Sequence, residues 1–164
     1  MPPPLKAASG FGVSYRPFAD EDLAFVSALY ASTRREELAM TGWPAEAQEQ
    51  FLAQQAAAQH SHYSLHFSDA EWLIIERGDE AIGRLYLRDQ SADLHIVDIS
   101  LLPGSRGQGI GGAILADTLA LARSQGKGVT IHVEINNPAR TLYARLGFET
   151  VEEKGAYDLL RARP

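Results

Sequence analysis

Arg106-Gly107-Gln108-Gly109-Ile110-Gly111-Gly112 stands between the strongest strand-like run of the chain, Leu94 to Leu102 (LHIVDISLL), and an amphipathic run from about Gly109 to Ser124. Glycines in such a place let the backbone take torsions closed to other residues and bring successive amides close to an anion. The helix that follows adds partial positive charge at its start, so a pyrophosphate is the natural ligand. The plainest competing reading is a glycine-rich turn that only reverses the chain. A sharper one is the dinucleotide fingerprint, because Gly107 to Gly112 spells G-x-G-x-x-G and Glu134 follows about 20 residues on. Its context fails. The first glycine of a dinucleotide turn leaves its strand at once, whereas Pro103-Gly104-Ser105-Arg106 intervene. Only 52 residues follow Gly112, too few to complete the required parallel sheet.

Working outward, the periodicity predicts a mixed α/β chain. Gly12 to Phe18 reads as a first strand. Asp20 offers an N-cap for a helix that runs to about Met40, with Glu21 and Asp22 in its first turn. Pro44 suits the first position of a second helix, to about His60. Trp72 to Glu76 and Ala81 to Arg88 form a hairpin around Gly78-Asp79. In the helix from Gly109, Ile110, Ile114, Leu115, Leu119 and Leu121 make an apolar stripe that stops near Gly126. Val129 to Ile135 alternates as a strand, with Ile131, Val133 and Ile135 on one face and His132 and Glu134 on the other. Pro138 opens a last helix, Gly147 ends it, and Phe148 to Glu153 pairs with Ala156 to Leu160. The order β-α-α-β-β-β-α-β-α-β-β holds one clear βαβ crossover, around the central helix.

The 164 residues suit one domain with a core of its own. We divide the chain into a flexible N-terminal tail, 1–11 (MPPPLKAASG and Phe11), and a single domain, 12–164. With no cysteine, disulfide scaffolds, thiolate metal sites and cysteine nucleophiles are excluded. A net charge of −6 argues against a broad nucleic-acid-binding surface. No apolar run approaches the roughly 20 residues that span a bilayer, and no signal-peptide core is visible. The expectation is a soluble cytoplasmic protein with neither nucleic acid nor membrane as partner.

Two motifs then carry a resemblance. Arg106-Gly107-Gln108-Gly109-Ile110-Gly111 is similar to the Q/R-x-x-G-x-G/A signature of the GNAT superfamily of acetyl-CoA-dependent N-acetyltransferases. About 30 residues on, Asn137-Pro138-Ala139-Arg140-Thr141-Leu142-Tyr143-Ala144-Arg145-Leu146-Gly147-Phe148 resembles that superfamily's N-x-x-A-x-x-L-Y-x-x-x-G-F segment. The element order is similar too, over nearly the whole chain after the tail. The resemblance implies a central, mostly antiparallel sheet of about seven strands with one splayed parallel pair and four helices.

It also implies a site. Acetyl-CoA would be the co-substrate, without a metal, its pyrophosphate on Arg106, Gly107, Gln108, Gly109, Ile110, Gly111 and Gly112. Its pantetheine would bond to free backbone of the 94–102 strand, at Ile99, Ser100 and Leu101, where one amide can stabilise the oxyanion. The family's asparagine lies seven residues before the tyrosine, as Asn136 does. Asn137, six before, has the Pro-Ala neighbours instead, so both stand as candidates. Tyr143 matches the usual general acid for the departing thiolate; otherwise it is a helix residue packed on the sheet.

For the base, Asp98 interrupts the apolar Ile96-Val97-Asp98-Ile99, Glu134 lies near where related enzymes carry a catalytic glutamate, and His132 shares its face. Asp98 is slightly preferred, since a charge among Ile96, Val97 and Ile99 is harder to explain as surface; a water chain with no single base is the other option. Arg140 and Arg145 are left as solvent-exposed helix residues. The histidines of His60-Ser61-His62-Tyr63-Ser64-Leu65-His66 read as solvated or substrate-lining rather than metal-binding. The stretch Arg34 to Trp43 would shape the acceptor pocket, where Glu36, Glu37 and Trp43 suit a cationic, partly apolar amine. The leading expectation is transfer of an acetyl group to a primary amine of a small molecule or peptide. The alternative is an acyl-CoA-binding sensor of the same fold without turnover, and a homodimer is an open option.

Overall fold

The structure is a computed structural model and describes residues 2–164. Among these residues, seven strands form one sheet and four α-helices flank it. In chain order they are β1 (Val13–Pro17), α1 (Leu23–Ala39), α2 (Ala45–His66), β2 (Glu71–Arg77), β3 (Glu80–Asp89), β4 (Asp93–Leu101), α3 (Ile110–Ser124), β5 (Gly128–Glu134), α4 (Arg140–Arg145), β6 (Phe148–Glu153) and β7 (Tyr157–Ala162). The sheet order is β1-β2-β3-β4-β5-β7-β6, and every pairing is antiparallel except β4 with β5. The fold is the mixed, GNAT-like α/β architecture that the sequence implies.

The apolar stripe of α3, including the fully buried Ile110 and Ile114, meets Leu94, Ile96, Val129, Ile131 and Val133 of the parallel pair. α1 and α2 join through a smaller cluster of Ala31, Leu38 and Leu52. A bulge decides what β4 presents. Its register against β3 slips between Tyr86 and Leu87, leaving Val97 without a partner. The extra residue shifts the alternation, so Ile96 and Ile99, three apart, both reach the core. Asp98 and Ser100 are thereby turned toward α2.

Four readings of the sequence change. The segment assigned to the tail is docked from Lys6 onward: the amides of Lys6, Ala7 and Ala8 donate to the Asp117 carboxylate of α3 at 3.2, 2.9 and 3.0 Å, and Ala8 is fully buried. Asp20 does not cap α1. Asp22 accepts the Ala19 amide at 2.8 Å and pairs with Arg16 at 2.7 Å, after a short 3-10 turn. Pro44 sits one position outside α2, which runs on to His66 rather than stopping near His60. Leu52, Ala56 and Tyr63 keep one buried stripe past that point, and packing overrides the weak helix preference of Ser and His. Ile135 is half exposed, beyond the end of β5 rather than on its buried face.

Candidate active site

The parallel pairing of β4 and β5 covers only Asp93↔Gly128 to Ile96↔Ile131. Beyond it β4 stays with β3 and β5 with β7, so the two strands part. The Leu102 amide donates to Ile82 carbonyl at 2.8 Å, which makes Gly83↔Leu101 a non-hydrogen-bonded pair and Arg84↔Ser100 a bonded one. Ile99 and Leu101 therefore turn their backbone groups into the opening. Ser100 does not: its amide and carbonyl serve β3, which corrects its place among the free groups. The Leu101 carbonyl is taken by Arg106 Nε at 2.8 Å, leaving the Leu101 amide and both Ile99 groups toward the opening.

The glycine loop lies at the mouth of this opening. Gly107 and Gly109 have φ of +71° and +90°, torsions that favour glycine. The first bond into α3 runs from the Ala113 amide to the Gly109 carbonyl at 3.0 Å, so the amides of Ile110, Gly111 and Gly112 have no acceptor within the helix. Gly111 and Gly112 are not demanded by packing. A Cβ there would meet only Leu101 Cδ1 at 3.8 Å and Leu142 Cδ1 at 3.5 Å. The side chains of Arg106 and Gln108 brace the loop: Arg106 also reaches Ser32 Oγ at 3.3 Å, and Gln108 bonds Gly104 carbonyl at 2.8 Å and Arg77 at 3.2 Å. The two asparagines separate. Asn137 Oδ1 accepts the Ala139 amide at 2.9 Å inside the turn before α4, whereas Asn136 is exposed with its side chain outside that turn.

Tyr143 of α4 is buried, its ring edge-on to Phe148 at 5.6 Å. Among the described residues its hydroxyl has no hydrogen-bond partner. Burial, with the Asp98 charge as the smaller cause, pushes its pKa up to about 12. The phenol therefore stays protonated at neutral pH.

The two carboxylates differ. Asp98 accepts from Tyr63 Oη at 2.7 Å and Ser100 Oγ at 2.6 Å and pairs with Arg84 at 3.0 Å. Arg84 is itself buried, bonded to Gln59, with its guanidinium over the rings of Tyr63 and Tyr86. Burial, then the Asp98 charge, raises the Tyr63 pKa. Glu134, at the open end of β5, is one-third exposed and salt-bridged to Arg34, with Tyr157 Oη at 3.4 Å. The hydrogen bond from Arg34 holds its pKa below the usual glutamate value. His132 lies two residues before Glu134 on the same face of β5, its ring near His95 and its Nε2 3.4 Å from Lys154 Nζ. Arg140 pairs with Asp158 at 2.9 Å. Arg84 was missed in the sequence although it interrupts an apolar strand, Ala81-Ile82-Gly83-Arg84-Leu85, as Asp98 does.

A cavity of about 320 Å³ opens between α1, α2 and β7, lined by Tyr30, Arg34, Glu37, Phe51, Gln55 and Tyr157 among others; Glu134 is outside this lining but contacts Arg34 and Tyr157 of it. Of the residues expected on the acceptor side, Glu37 lines this cavity, Trp43 lines a neighbouring groove, and Glu36 lines neither. Among the described residues no helix is long and apolar enough to cross a membrane.

A sheet that splays beside an amide-rich helix start is the frame of an acyltransferase that takes its acyl group from coenzyme A. A family model described as "Acetyltransferase (GNAT) domain" matches residues 30–164, and the chain belongs to that family. Among solved structures it is similar to the PaiA N-acetyltransferase of Thermoplasma acidophilum in complex with coenzyme A, at TM-score 0.70 and 16% identity over 93% of this chain and 99% of that one. It is also similar to an acetyltransferase of Thermus thermophilus (TM-score 0.64, 16% identity, 93% and 97% covered). A GNAT family acetyltransferase of Elizabethkingia anophelis with acetyl-CoA bound is a further neighbour (TM-score 0.60, 16% identity, 93% and 99% covered). At these identities the likeness concerns the fold. No curated protein matches the chain.

Proposed function

We propose that this protein transfers an acetyl group from acetyl-CoA to a primary amine by direct attack. The observation that carries the reading is the parting of β4 and β5 after Ile96 and Ile131, with a glycine-built amide cradle at its mouth and a protonated tyrosine beside it. Gly111 and Gly112 fit a ligand better than they fit the helix. Each costs about 1 kcal/mol relative to alanine inside a helix, and no neighbour of theirs would be displaced by a Cβ. The space above them suits a pyrophosphate approaching the amides of Ile110, Gly111 and Gly112, and coenzyme-bound neighbours of the same fold support that ligand.

Acetyl-CoA supplies the activated acyl group. The Ile99 and Leu101 groups that face the opening are placed to hold an extended amide-bearing chain as an added strand, and an amide among them can steady a developing oxyanion. The amine nitrogen bonds to the acetyl carbon as the carbon–sulfur bond breaks; the nitrogen loses one proton and the sulfur gains one. Tyr143 Oη is the donor to sulfur. Glu134, partly open to solvent at the cavity edge, takes the amine proton in this reading, directly or through water. Asp98 already satisfies three neighbours and acts by holding Tyr63 and Arg84 in place. Asn136 is the asparagine free to meet the coenzyme.

Acetyl-CoA should raise the melting temperature, since a ligand bound only to the native state stabilises it by mass action. Gly111→Trp should remove the shift. A shift with NAD and none with acetyl-CoA would overturn the reading. Acetyl-CoA binding without thiol release from any amine would leave the sensor alternative in its place. The assay has no protein background, because the chain has no cysteine.

A further inference from the structure

We infer that the acceptor is a primary amine carrying an uncharged aromatic or apolar tail and no carboxylate or phosphate. This deepens the acetyl-transfer reading and rests on it. A groove of about 420 Å³ runs along the start of α2, lined by Trp43, Pro44, Ala47, Gln50, Phe51 and Gln54, and shares Phe51 with the cavity that Arg34 lines. Phe51 lines both spaces, so one acceptor can span them, amine inward and tail outward.

The charges divide along this path. Among the described residues Arg34 is the single cation lining either space, and its guanidinium is committed to Glu134 on one side and to Glu37, at 3.4 Å, on the other. Within the lining Arg34 is balanced by Glu37, and Glu134, outside the lining, holds the other side of the guanidinium, so no positive charge of the inner space is left unpaired. An ammonium can pair with Glu37 there, whereas an acceptor carboxylate or phosphate meets no free positive partner and faces the Glu37 carboxylate. The outer groove has no charged lining among the described residues. It holds two large rings half open to solvent, Trp43 at 44% and Phe51 at 38% exposure, set edge to face at 5.5 Å. A third ring or an alkyl chain laid on this pair buries apolar surface on both sides, and Gln50 and Gln54 can bond a neutral polar group on it.

The test uses the whole chain with acetyl-CoA, following thiol release with three probes. Phenethylamine carries the tail alone, phenylalanine adds an α-carboxylate to the same ring, and ethylamine removes the ring. Phenethylamine should exceed each of the others at least about tenfold in kcat/KM, the scale on which an apolar contact or a misplaced charge is read. In Trp43→Ala, an exposed position, the phenethylamine-to-ethylamine ratio should fall severalfold. Phenylalanine turned over as well as phenethylamine, or a ratio unmoved in Trp43→Ala, would overturn the inference while leaving acetyl transfer standing. Thiol release from none of the three, with acetyl-CoA still raising the melting temperature, would overturn the inference; acetyl transfer itself falls only when no other amine releases thiol either.

Discussion

The two ends of the β4/β5 pair are made of the same strands and do opposite work. At the closed end, from Asp93↔Gly128 to Ile96↔Ile131, every position is in register. A Cβ on Gly128 would stand 2.7 Å from the Ala162 carbonyl and 2.7 Å from Asp93 Oδ1, so the backbones there approach as closely as glycine allows. Arg161 ties the corner by bonding Asp93 at 2.8 Å. At the open end the bulge at Val97 turns Asp98 and Ser100 toward α2, β5 continues with β7 alone, and backbone groups of Ile99 and Leu101 lack a strand partner. Unpaired strand backbone is a template for one more extended chain. Ligand chemistry belongs where the ladder stops.

The comparison breaks most visibly at Asp98. Replacing it by Asn leaves Arg84 charged and buried opposite a neutral amide. Removal of one partner of such a pair costs about 3 to 5 kcal/mol, a large part of an ordinary domain's stability. Asp98→Asn should therefore lower the denaturant midpoint strongly. A midpoint within experimental error of the wild type would show that the pair does not brace the open end. Next in size is Tyr143→Phe. Loss of the positioned donor should lower kcat about 10²-fold, equivalent to about 2.7 kcal/mol of barrier, with acetyl-CoA affinity little changed. Unchanged turnover with chemistry limiting would mean that the thiolate leaves without a protein proton.

Most of the fold could be read from the sequence because it follows local rules: an apolar run in β4, two-residue alternation in β5, a 3.6-residue stripe in α3, and glycines at the turns. The glycine loop and Tyr143 were legible for the same reason, as each motif lies within a few consecutive residues. Misplaced helix and strand ends aside, the exceptions are long-range. The role of Asp98 depends on Tyr63, 35 residues away, and on Arg84 across the strand pair. The role of Glu134 depends on Arg34, 100 residues away. The N-terminal segment read as a tail because its anchor, Asp117, is a single polar position in the apolar pattern of α3, more than a hundred residues later. Periodicity shows that a charge interrupts a strand. It does not show which charge answers it. Removing Ser100 from the open backbone groups, with Ile99 and Leu101 kept, required the register itself, since one residue's shift inverts every direction.

A third prediction sharpens the closed end, through pH. His95 lies in that end with Nδ1 2.9 Å from Thr130 Oγ1, and burial, then the neighbouring His132 and Arg88 charges, brings its pKa down to about 4. Unfolded, it titrates near 6.5. Between those values the unfolded chain binds the proton that the native one refuses. Stability from this group is thus full above about pH 6.5 and declines as pH falls, by on the order of 2 kcal/mol at about pH 5. His132 is lowered also, by burial and then Lys154, and adds in the same direction. The melting temperature should fall between about pH 6.5 and 5, and His95→Asn should flatten that fall. An equal slope in both proteins would place the histidine in an environment less dry than its packing indicates.

The smallest expected effect lies at the open end, at Glu134. Its side chain is one-third exposed and its bond to Arg34 is reached by solvent, so Glu134→Gln should change stability by less than about 1 kcal/mol. The consequence for rate should exceed that. The hydrogen bond from Arg34, the largest influence on the carboxylate, keeps it ionised and makes it a weaker base than a free glutamate. Its loss should then cost about tenfold in kcat/KM, below the usual range for a strong general base. The sign with pH is set by the same bond: the carboxylate accepts protons only while ionised, so its activity is full at neutral pH and is lost as pH falls below the ordinary glutamate value. Glu134→Gln should remove that acidic limb, and a folded Asp98 variant such as Asp98→Glu should keep it. If Glu134→Gln retains both rate and limb with phenethylamine as acceptor, the amine proton leaves through water, and Arg34 holds Glu134 only to shape the cavity.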